Sequence, residues 1–77
     1  MPNDEIPEVQ LAEFAVREAE NRVACQLSLL NTLEAKGYPE AVKARELLGI
    51  LTENLQLRRY RFVFVAARHR KSGMYKP

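Results

Sequence analysis

Cys25, His69 and the acids Glu18 and Glu20 are the side chains on which catalysis or metal binding in this chain would have to rest. His69 is the only histidine, so a Ser-His-Asp relay or a multi-histidine metal site within one chain is hard to build. Its place close to the end of a basic helix suits a residue that interacts favourably with the helix dipole. Cys25 is the only cysteine, which excludes an internal disulfide framework and a Cys-based zinc site within one chain. A small thiol among apolar neighbours, buried at an interface, is the expectation for it. Glu18 and Glu20 are two apart and project to different faces of a helix, so they cannot act as an acid/base pair. The three glycines, Gly37, Gly49 and Gly73, are isolated and form no phosphate-binding loop. The reading is a protein that is not an enzyme, with no catalytic residues, no cofactor and no metal.

Charge offers more. Residues 1–40 carry eight acids against three bases, a net of −5, and residues 41–77 carry nine bases against two acids, a net of +7. No acid follows Glu53. The basic set Arg58, Arg59, Arg61, Arg68, Arg70, Lys71 and Lys76 is interleaved with Tyr60, Phe62 and Phe64, a composition that grips phosphates and stacks on bases. Helical geometry divides these charges: Arg59 and Arg70 flank one side of the apolar stripe, Arg61 and Arg68 the other. An anion or nucleic-acid surface built from Arg58, Arg59, Arg61, Arg68, Arg70 and Lys71 is the second functional reading, and a solvated helix edge is what the same spacing also produces.

The elements that must carry these residues are two helices and one turn. At 77 residues, with 47% apolar and 29% charged residues, the chain makes one domain of an all-α type. Between Pro7 and Lys36 there is neither glycine nor internal proline, and Pro7 suits a first helical turn. Apolar residues recur at spacings of three and four: Val9, Ala12, Val16, Ala19, Val23, Leu27, Leu30 and Leu33. Gly37 supplies a helix-ending left-handed position, and Pro39 can open the next helix. The second stripe is Ala41, Ala44, Leu47, Leu48, Leu51, Leu55, Phe62, Val65 and Ala66, and Ser72-Gly73 closes the helix. Tyr60 to Val65 has strand-like composition, but a lone strand would have no partner, so helix is the assignment. The resulting organisation is a flexible segment 1–6, a helical hairpin 7–71 (helix 7–36, turn 37–39, helix 39–70) and a flexible tail 72–77.

Folding back at the turn pairs residues whose numbers sum to roughly 76. Glu18 then lies level with Arg58 and Arg59, Glu8 with Arg68, and Glu5 with Lys71. The acidic arm therefore answers much of the basic arm, and such exposed pairs set orientation more than stability. Two polar residues fall where apolar ones belong. Gln26 sits between Val23 and Leu30, and Arg58 sits at the centre of the second helix's apolar face, with Asn54 four residues before it. They read as residues that fix register and partner, with Glu18 or Glu20 satisfying Arg58. A pocket for an anionic group around Arg58 is the alternative.

One layer of contact between two helices leaves a small chain short of core. Each helix carries a second apolar stripe: Leu11, Phe14, Cys25 and Leu29 on the first, Ile50, Leu57, Tyr60 and Phe64 on the second. Exposed apolar bands of this length mark interfaces, so self-association is expected, with a homodimer closing a coiled-coil-like four-helix bundle as the simplest form. The longest unbroken apolar run, Phe62 to Ala67, is six residues, far short of the ~20 of a membrane span. With a single cysteine and an acidic, polar start, a reducing cytoplasm is the expected setting.

The stretch Val23-Ala24-Cys25-Gln26-Leu27-Ser28-Leu29-Leu30 through Gly37-Tyr38, continued by Ala44-Arg45-Glu46-Leu47-Leu48 and Glu53-Asn54-Leu55, resembles a pattern in small uncharacterised α-proteobacterial helical-hairpin proteins. In that pattern an aliphatic residue is followed by Gln, Leu-Ile or Leu-Leu, Leu, and Gly-His before a second helix. Cys25 and Tyr38 stand where the pattern has Arg and His. The resemblance covers roughly residues 20–60, and it implies the hairpin and a bacterial cytoplasmic setting without implying an activity. The functional expectation is a self-associating interaction or adaptor module. A small nucleic-acid-binding protein using the basic half of the second helix is the alternative.

Overall fold

A computed structural model describes the backbone of residues 7–74 and the side chains of residues 7–69. The expected segment 1–6, residues 75–77 of the expected tail 72–77, and the side chains of residues 70–74, Arg70 and Lys71 among them, lie outside the described residues. Two helices account for almost everything described: α1, Glu8–Ala35, and α2, Ala41–Met74. They pack side by side and antiparallel, as an all-α helical hairpin.

α1 starts one residue later than the sequence suggests, because Pro7 occupies the flanking position with φ −54° and ψ 145°. Its carbonyl accepts the amide of Leu11 at 3.0 Å, the first bond of the helix, and no side chain caps this end. At the other end Gly37 adopts φ 70°, the one described residue with positive φ. The Tyr38 amide donates to Leu33 O at 3.0 Å and the Gly37 amide to Glu34 O at 3.1 Å, a paired arrangement that satisfies carbonyls left open by the ending helix. A residue with a Cβ would pay steric strain at that φ. The chain reverses at once. Pro39 and Glu40 form a tight turn, with Ala41 and Val42 donating to Tyr38 O and Pro39 O, so α2 proper opens at Ala41 rather than Pro39.

α2 also runs further than expected, through Ser72-Gly73 to Met74. Glycine in a helix costs only about 1 kcal/mol relative to alanine, which weakens a helix without ending it. Tyr60 to Val65 is helical, as the absence of any partner strand required.

The seam between the helices follows a strict alternation of three and four. From α1 it takes Val9, Ala12, Val16, Ala19, Val23, Gln26, Leu30 and Leu33, and from α2 Ala41, Ala44, Leu48, Leu51, Leu55, Arg58, Phe62 and Val65, all buried or half-buried. Two residues of the sequence-derived stripes are corrected by this. Leu27 and Leu47 are 46% and 44% exposed and point out of the seam. Each is adjacent to a better-placed residue, Gln26 and Leu48, and the alternation admits only one of each pair.

Sizes along the seam are complementary. Near the turn, Leu30 and Leu33 of α1 meet Ala41 and Ala44 of α2, with Leu48 packed alongside. Towards the open end the order reverses, and Ala12 and Ala19 lie level with Val65, Phe62 and Leu55. This lets the helices approach closely along their whole shared length. The hairpin is nonetheless a slab, 62 × 26 × 13 Å in its backbone extents. A slab one helix thick has no interior beyond the thin seam between its helices, and no large side chain among those described is fully buried.

Candidate functional site

The ion pairs sort the side chains into two broad faces. On one, Arg59 donates to Glu20 at 3.2 Å and Arg45 to Glu34, while Arg17 reaches Glu13 at 3.1 Å along α1. On the other, Arg68 donates to Glu8 at 2.8 Å, and Arg61 lines a shallow groove with Glu8, Leu11, Ala15 and Arg58. Helical spacing extends this second face to Leu11, Cys25 and Leu29 of α1 and to Leu47, Ile50, Leu57 and Phe64 of α2. Cys25 and Leu29 share a second shallow groove with Glu18, Arg22 and Leu51.

Those residues are the stripes expected to mediate association, and they are exposed in the single chain. Ile50, Leu57 and Phe64 are 61%, 66% and 72% accessible, and Leu11, Phe14, Leu29 and Cys25 are also open. Phe14 and Tyr60 sit at the outer edges of the slab, one helix position away from the centre of the face. Leu47 is the member that sequence reasoning missed. Its signal was present, since it lies three residues before Ile50 and ten before Leu57, but its adjacency to Leu48 drew it into the seam. Leu27 goes to the opposite face, where only Val42 and Val63 join it as large exposed aliphatics.

The two seam-breaking polar residues each find the backbone of the other helix. Gln26 Nε2 donates to Ala44 O at 2.9 Å. Arg58 Nη1 donates to Ala15 O at 2.9 Å and to Glu18 Oε1 at 3.0 Å. Both carbonyls belong to helical turns whose own amide bonds use one lone pair, leaving the second free to accept. Glu18 is thus the acid that satisfies Arg58, while Glu20 takes Arg59. The Arg58 guanidinium, aided by Arg22 at 3.3 Å, holds the Glu18 carboxyl below its ordinary value. Arg68, with His69, does the same for Glu8.

The expected cationic surface is accordingly broken up. Arg58, Arg59 and Arg68 each engage a carboxylate of α1, and only Arg61 among the described arginines of the set has no such bond recorded among the described residues. His69 lies 3.4 Å from Glu8 through Nε2. Because α2 continues to Met74, His69 is not in the last turn, and its partner is the other helix rather than the dipole of its own. No described group of three or more His, Cys, Asp or Glu side chains converges in a way that could hold a metal. No described helix is long and apolar enough to cross a membrane. No protein-family model, curated protein or solved structure matches the chain.

Proposed function

We propose that the protein is a non-enzymatic helical interaction module whose apolar face associates with a second copy of the chain, closing a four-helix bundle. The observation that carries this is the gathering of Leu11, Leu29, Leu47, Ile50, Leu57 and Phe64 on one side of a slab whose only interior is the seam between its helices. An outer face so rich in exposed large apolar side chains marks an interface, and the strict three-four spacing of the seam is that of an antiparallel coiled coil. Two helices over their shared length offer a footprint of roughly 40 by 20 Å, or ~800 Å² per partner, the size of a standard specific interface. The single exposed thiol, Cys25, sits inside that footprint and is compatible with a reducing cytoplasm, in a bacterial setting if the sequence pattern is followed.

The nucleic-acid reading has less support, since Arg58, Arg59 and Arg68 already spend their charge on Glu18, Glu20 and Glu8. Sedimentation equilibrium across a concentration series is the test of the main reading, with twice the chain mass expected and insensitivity to added salt. A monomer at every concentration, together with salt-sensitive anisotropy changes of labelled RNA or duplex DNA, would replace it with the polyanion reading.

A further inference from the structure

Resting on the self-association just proposed, we infer that the groove holding Arg58 and Arg61 is a binding site for a phosphate-like oxyanion, over which the second copy closes. The two broad faces differ in the balance of their charges. On the polar face Arg17, Arg45 and Arg59 pair one to one with Glu13, Glu34 and Glu20. On the apolar face Arg22, Lys43, Arg58, Arg61 and Arg68 share two acids, Glu8 and Glu18. Among the described residues, a surplus of three cations therefore lies where the second copy docks. That copy brings the same surplus whichever way round it sits, so it covers the leucines without answering the charge. Guanidinium groups taken out of water need a partner of opposite sign.

The groove shows where that partner fits. It lies between α1 and α2 towards the open end, has a volume of about 170 Å³, and is walled by Leu11, Ala15 and Val65. A water needs only about 15 Å³ of such space, so an oxyanion has room with its nearest waters. Arg58 and Arg61 both line it. Arg58 spends Nη1 alone on Ala15 O and Glu18, which leaves Nε and Nη2 to donate. Arg61 has no ion pair among the described residues. The carboxylate on the rim, Glu8, is engaged by Arg68 and His69.

Two forked guanidiniums match the oxygens of a tetrahedral anion. The apolar walls, with a second copy laid over them, exclude water and strengthen the attraction. A single oxyanion suits the site better than a polymer does. The free donors are confined to one groove, and the arginines of the polar face are already paired.

The experiment compares sodium phosphate with sodium chloride at matched ionic strength and neutral pH, by sedimentation equilibrium of the full chain. About 10 mM phosphate is expected to tighten self-association about tenfold, and Arg61→Gln to lose that response while its helical signal persists. Arg17→Gln removes the same charge from the polar face and should keep the response. A dimer indifferent to phosphate, or a response retained by Arg61→Gln, would overturn the site and leave self-association standing. A monomer at every concentration that still broadens the phosphorus magnetic resonance signal of phosphate, and does so only with Arg61 intact, would keep the site and remove self-association. A monomer without that broadening would remove both. Phosphatidylglycerol vesicles test the other source of the same chemical group. Retention of the chain on them but not on phosphatidylcholine, with no response to inorganic phosphate, would overturn the free ion in favour of a lipid headgroup.

Discussion

The two broad faces of the hairpin are built on the same helical spacing and carry opposite chemistry. One presents Leu11, Leu29, Leu47, Ile50, Leu57 and Phe64, with Lys43 at the turn end, Glu18 and Arg22 in the middle, and Arg61, Glu8 and Arg68 towards the open end. The other presents Gln10, Glu20, Glu34, Arg45, Thr52, Gln56 and Arg59, with cross-helix ion pairs and three scattered aliphatics. The seam alone cannot explain that asymmetry, since the hairpin would pack equally well with both sides polar. The contrast shows that the apolar residues of the fold lie between the helices, while a separate set, the one on which the proposed association draws, lies on a single outer face.

The largest expected effect breaks the contrast outright. Leu11→Asp with Phe64→Asp places carboxylates at both ends of the apolar face and is expected to abolish association while the far-ultraviolet helical signal persists. The matched pair Leu27→Asp with Val63→Asp on the opposite face changes the same number of charges and should leave the mass in solution unchanged. Equal losses from the two pairs would mean that the faces do not differ in role.

A smaller effect concerns the seam. Arg58→Ala removes the bond to Ala15 O and the half-buried stem, and is expected to destabilise the hairpin by about 1–2 kcal/mol in denaturant titration. Arg58→Met keeps the packed stem and is expected to retain most of the stability, while association becomes less uniform in mass because the register-fixing contact is gone. A fully retained single species in Arg58→Met would remove the register role.

The smallest effect is acid sensitivity, concentrated on the apolar side. Arg58 beside Glu18 and Arg68 beside Glu8 lower both carboxyls from their ordinary value of 4.5. A carboxyl whose folded value lies below its unfolded one contributes its stabilisation above about pH 4.5, and the contribution fades as pH falls through the folded value. The thermal midpoint is therefore expected to fall modestly between about pH 5 and pH 2, and Glu18→Gln should flatten that limb. An unchanged slope in Glu18→Gln would exclude this pair as the source.

Much of the architecture was legible in the chain. Glycine and proline punctuation bounded α1 to within a residue and located the turn, because Gly37 is the one place among the described residues where the backbone needs positive φ. Folding back at that short turn predicted the antiparallel pairing of the acidic arm with the basic one, and Glu18 with Arg58 and Glu8 with Arg68 meet as expected. The end of α2 was less legible. Ser72-Gly73 resembles a stop, but a lone glycine does not outweigh the helix that precedes it. Leu27 and Leu47 went astray for a different reason. A residue next to a seam position differs from it by only one step of the helix, and composition cannot say which of two neighbours faces inward.

By itself, then, the sequence determined two helices, their antiparallel sense and the polar residues that interrupt the seam, since periodicity, turn chemistry and charge order act locally or between whole arms. The tertiary structure decided which of two adjacent leucines is buried and which carbonyls Gln26 and Arg58 reach. It also decided that the second stripes of the two helices come together on one side. Those outcomes depend on the rotation of each helix about its own axis, which is fixed only when the two surfaces interlock.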